Sequence, residues 1–141
     1  MKILCISATF GLASLALAET PNVQPGQWEY QTRITVEAPF PIPEQNDTST
    51  DCVTEADVAE ADTFMGDMDM EECEMTHEEM NRDSAHYEMV CQADGLTMDM
   101  TLDLKFMGDH SEGLIVSQAE TPAGPMKTTI EMKGRRIGDC E

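Results

Sequence analysis

From Leu96 to Phe106 the chain reads LTMDMTLDLKF, with Leu, Met, Met, Leu, Leu and Phe at the even positions and Thr, Asp, Thr, Asp and Lys between them. A repeat of two is the pattern of a strand with one buried and one solvated face. It rules out a helix over the same residues, in which apolar positions recur every three or four. Trp28, Tyr30, Thr32, Ile34 and Val36 repeat the pattern, alternating with Gln27, Glu29, Gln31, Arg33 and Thr35.

Turn signals connect these strands to others. Asp94-Gly95 is a tight-turn pair leading into Leu96. Gly108-Asp109 leads to a strand near Glu112 to Ala119, Pro122 to Pro125 turns the chain again, and Met126 to Arg135 alternates once more. Between Cys73 and Cys91, strand-like alternation flanks the polar cluster Asn81-Arg82-Asp83-Ser84, which predicts a hairpin. In that register Cys73 faces Cys91, Met75 faces Met89 and His77 faces Tyr87, all on one side of the sheet.

Two stretches read as loops: EAPFPIPEQNDTST after the first strand, and the acidic, methionine-bearing MGDMDMEECEM before the hairpin. Thr54 and Asp57 form a capping box that starts a short helix through about Thr63. The expected fold is mainly β (α+β): an antiparallel meander of about six strands, curved or half-barrel, with one short helix and two disulfides.

The first residues, MKILCISATFGLASLALAET, place one basic residue before an apolar run and Ala16-Leu17-Ala18 at its end. This is the layout of a signal peptide cleaved after Ala18, and the run is shorter than the roughly 20 apolar residues that span a bilayer. Residues 19–141 are then one small domain, exported and periplasmic or extracellular. Four cysteines remain, Cys52, Cys73, Cys91 and Cys140, an even number that fits two bridges in three alternative pairings. Directly opposed strand residues lie close enough for Cys73 to join Cys91, and elimination then leaves Cys52 with Cys140.

The formal charge is −20, which repels phosphate backbones and anionic membranes, so nucleic acid is not an expected partner. Charged partners would be cations or a basic protein surface. The basic residues concentrate late in the chain, at Lys127, Lys133, Arg135 and Arg136, where pairing with the protein's own acids is the expected outcome.

Candidate chemistry is sparse. Met65, Met68 and Met70 form an M-x-x-M-x-M cluster in a loop, and thioethers select soft ions such as Cu(I) or Ag(I). Met98, Met100, Met126 and Met132 fall at inward strand positions and read as core filler. The acids Asp67, Asp69, Glu71 and Glu72 do not match the D-x-[DN]-x-[DN]-G frame of a calcium loop. His77, His86 and His110 lack zinc-type spacing, and no G-x-S-x-G elbow occurs. No cofactor is expected, and no acid, base and nucleophile set suggests an enzyme.

Pro25-Gly26-Gln27-Trp28-Glu29, Cys52-Val53-Thr54 and Gly134-Arg135-Arg136-Ile137-Gly138-Asp139-Cys140 occur in that order along the chain. With Cys73 and Cys91, they resemble the bacterial domain-of-unknown-function family numbered 3617, short exported proteins opening with P-G-x-W-E and closing with G-x-R-x-G-x-C. The resemblance runs from about Pro25 to Cys140. It implies a periplasmic bacterial protein with disulfide-forming cysteines, and it brings no activity or catalytic residue. The functional expectation is a noncatalytic binding or envelope-associated module, with a loop-methionine Cu(I)/Ag(I) binder as the alternative. An uncovered apolar concave face would point to a lipid or small apolar ligand.

Overall fold

A computed structural model describes residues 19–60 and 71–141. The expected leader and Met65, Met68 and Met70 lie outside the described residues. The elements are β1 (Gly26–Glu37), β2 (Gln45–Val53), α1 (Glu55–Ala59), β3 (Cys73–Met80), β4 (Ser84–Ala93), β5 (Leu96–Phe106), β6 (His110–Thr121) and β7 (Gly124–Gly138). They build one seven-stranded antiparallel sheet in the order β2-β1-β7-β6-β5-β4-β3. Strands β3 to β7 form a meander, and the last strand of that meander receives the β1–β2 hairpin on its free edge.

The turns have the chemistry their geometry demands. Asp94 and Gly95 both adopt positive φ, 51° and 76°, as a two-residue hairpin loop requires at its two centres. Asn81 Oδ1 accepts from the backbone N–H groups of Asp83 and Ser84, each at 3.0 Å, and so folds the β3–β4 turn on its own side chain. At α1, the Thr54 hydroxyl accepts from Asp57 N at 3.2 Å while the Asp57 carboxylate accepts from Thr54 N at 2.8 Å, closing the capping box.

Three expectations are corrected. The helix does not run to about Thr63 but ends at Ala59, with Glu60 as a non-helical C-cap whose N–H donates to Ala56 O. The polar stretch after β1 is not all loop: residues from Gln45 onward pair with β1 in unbroken register from Ile34↔Gln45 to Gly26↔Val53. All of β2 except Val53 is exposed, so neither side chain face carries the alternation by which a strand is recognised. The third correction is at His77, which stands opposite Glu88 rather than Tyr87. The register slips between Met75 and His77, a bulge at Thr76, and Glu78 takes the place opposite Tyr87.

The sheet is curled. Strands β1 and β3 are separated by five sheet positions, about 24 Å if the sheet were flat. Yet Asn22 N donates to Arg82 O in the β3–β4 turn at 2.7 Å, and four residues of chain from Asn22 to Gly26 reach no more than about 14 Å. Val23 and Gly108 form a parallel bridge on the way, so the segment before β1 braces one end of the curl like a chord. One buried cluster accordingly joins Trp28 of β1 and Val58 of α1 to Tyr87 and Met89 of β4 and to Leu102, Leu104 and Phe106 of β5. Disulfides Cys73–Cys91, between β3 and β4, and Cys52–Cys140, between β2 and the C-terminal end, fasten both margins of the sheet.

Candidate functional site

The inner face is the one onto which Trp28 and Phe106 project. Strand register stacks it into rows running across the sheet. Tyr30, Gly134, Ser111 and Phe106 make one row over β1, β7, β6 and β5, and Thr32, Met132, Gly113 and Leu104 make the next. The middle of the first row holds only a glycine and a serine, whereas its ends carry two aromatic rings. Large side chains at the margins and small ones in the middle leave a hollow.

That hollow is a cleft of about 310 Å³ walled by Val23, Trp28, Tyr30, Leu104, Phe106 and Met132. Trp28 is fully buried, its indole N–H donating to Gln24 O at 2.9 Å, and its ring stacks on Tyr30 with centroids 6.1 Å apart. Tyr30 in turn lies over Gly134, where an added Cβ would come within 2.8 Å of the ring. Ser49, Asp51 and Ser111 give the cleft its polar side chains, whereas Glu112, also at its border, stands in register with Lys105 and Lys133 of the outer face. Burial, and secondarily the Asp51 charge, push the Tyr30 hydroxyl above its ordinary pKa, so at neutral pH it keeps its proton and can donate. A larger depression of about 840 Å³ at the other end of the sheet, between Ala38, Gly95 and Lys127, presents no comparable aromatic wall.

The outer face is ionic. Arg33 pairs with Glu131, Arg135 with Glu29 at 2.8 Å, and Lys127 with Glu37 at 3.6 Å, all across the β1–β7 seam. The late basic residues are thus neutralised largely within the sheet. On the same face His86 bridges strands, Nδ1 to Asp103 at 2.6 Å and Nε2 to Glu88 at 3.2 Å. The Asp103 hydrogen bond, followed by that of Glu88, raises the His86 pKa and favours an imidazolium with no lone pair to offer as base or ligand. Among the described residues no group of three or more His, Cys, Asp or Glu side chains could hold a metal ion. Nor is any helix among them long and apolar enough to cross a membrane.

Sequence reasoning placed Trp28 in the core and the aromatic alternation on one face, but it did not find the cleft. The signal was present in the small residues Ser111, Gly113 and Gly134, whose meaning depends on knowing that β6 and β7 lie between β1 and β5.

The three motifs that are far apart in sequence come together in space. Gln27, Trp28 and Glu29 pair with Gly138, Arg136 and Arg135, and the Arg136 Nε donates to Pro25 O at 2.8 Å. Cys140 then reaches Cys52, whose strand partner is Gln27. The motif residues therefore build one disulfide-closed corner beside Trp28. Fold and corner together define a small, disulfide-tied domain made of one open, curled antiparallel sheet with a cleft on its inner face. Over residues 23–140 the chain matches the family model described as "Protein of unknown function (DUF3617)", and it belongs to that family. No curated protein and no solved structure matches it.

Proposed function

We propose that the domain is a noncatalytic binding module of the bacterial envelope, working in the periplasm, and that its ligand is a small amphiphile held in the inner-face cleft. The observation that carries this reading is the cleft itself, with aromatic and aliphatic walls and a few polar groups gathered at one place, the usual make-up of a small-molecule site. The apolar leader and the two disulfides support export to an oxidising compartment.

Charge narrows the ligand class. Asp51 lines the cleft of a chain with a formal charge of −20, so an anionic head group is repelled while a hydroxyl or ammonium can donate to it. The ligand is therefore a neutral or cationic amphiphile. The protein's single tryptophan is at the site and reports on it. Titration with decanol or decylammonium is expected to change Trp28 fluorescence saturably, and decanoate, with the same chain length, to bind at least tenfold more weakly. Absence of a saturable change with any of the three would overturn the reading.

A further inference from the structure

The inner face has a second set of side chains with a chemistry of its own. At the β3 margin, Met75 stands directly opposite Met89, and Met89 directly opposite Met100, so three thioethers form one row over three adjacent strands. Directly opposed Cβ atoms are about 4.5–5.5 Å apart, and methionine's three rotatable bonds let neighbouring sulfurs converge from that spacing. Met89 is buried at 2 % exposure, Met100 is half-buried against the core, and Met75 is open to solvent at 36 % on the edge strand. The row thus has a buried anchor and an accessible mouth.

Packing accounts for Met89 and Met100 but not for Met75, a long apolar side chain on an exposed edge strand otherwise built largely of Glu, Thr and His. The adjoining row is the Cys73–Cys91 disulfide with Met98 beside it. Among the described residues the row's three side chains offer only sulfur, its next member being the neutral hydroxyl of Ser117 opposite Met100, and the nearby cysteines are oxidised and offer no thiolate. No carboxylate or imidazole among the described residues belongs to the row to hold a hard ion. A soft monovalent ion finds two or three neutral sulfurs, and the net charge of −20 raises the local concentration of any cation.

We propose that Met75, Met89 and Met100 form a thioether site for one soft monovalent cation, Cu(I) or Ag(I). The site is separate from the amphiphile cleft and does not depend on it. It also differs from the Met65, Met68 and Met70 cluster, so the two sets of sulfurs can be told apart. The probe is Ag(I) in chloride-free buffer with the disulfides intact, which needs no reductant, read by the methionine ε-methyl resonances. The Met75, Met89 and Met100 methyls are expected to shift together and saturate at one equivalent. Met75→Leu/Met100→Leu keeps the side-chain volume and removes two sulfurs. It is expected to weaken Ag(I) binding at least tenfold while the decanol response of Trp28 stays unchanged. Shifts confined to Met65, Met68 and Met70, shifts that do not saturate, or equal affinity in the leucine variant would each overturn the site.

Discussion

Gly134 and His86 show how single residues act on the two faces of the sheet. A Cβ at position 134 would lie 2.4 Å from the Ser111 hydroxyl oxygen and 2.8 Å from the Tyr30 ring, so Gly134→Ala forces the aromatic wall of the cleft to move. Such overpacking costs about 1–3 kcal/mol, which should appear as a lower urea midpoint at unchanged slope. On the outer face, the His86 pKa is raised chiefly by Asp103. A raised folded-state value means that the ion pair stabilises fully below the ordinary histidine pKa of about 6.5 and is lost as pH rises through the folded-state value. Asp103→Asn should therefore lower the His86 midpoint in an NMR titration; an unchanged midpoint would assign the shift to Glu88 instead.

Elements differ in how much of them the sequence discloses. Strand β5 was legible to the residue because one of its faces is half-buried at Leu96, Met98 and Met100 and buried at Leu102, Leu104 and Phe106, while the other is largely wet. Strand β2 was not, because it lies at the edge with both faces in water, and only its backbone pairing with β1 makes it a strand. The hairpin of β3 and β4 was legible up to Met75, beyond which a one-residue bulge moved His77 out of the register that alternation implies. Likewise the rows of the inner face, cleft and methionines alike, follow from strand order, which alternation alone does not encode. The disulfides act at this scale too. Cys52–Cys140 spans 88 residues and Cys73–Cys91 spans 18, for which the loop-entropy model gives roughly 4.5 and 3 kcal/mol. The Cys52→Ala/Cys140→Ala variant should thus unfold at lower urea than Cys73→Ala/Cys91→Ala, and the reverse order would mean that local packing around Cys91 outweighs chain entropy.

At the scale of the whole molecule, an open sheet becomes a receptacle because its ends are drawn together. The N-terminal segment ties β1 to the β3–β4 turn through Asn22 and to Gly108 through Val23, and α1 buries Val58 in the same core. What remains between the two aromatic walls is the cleft, lined at its middle by Gly113, over which Leu104 and Met132 close so tightly that a Cβ would come within 3.2 Å and 3.0 Å of them. Filling that space from within tests the account most directly. In calorimetric titrations with decanol, the wild-type protein is predicted to bind at one site with a negative heat-capacity change, as apolar burial requires. Gly113→Leu, with its circular dichroism and cooperative unfolding retained, is predicted to bind at least tenfold more weakly; equal affinity in the folded variant would contradict the account.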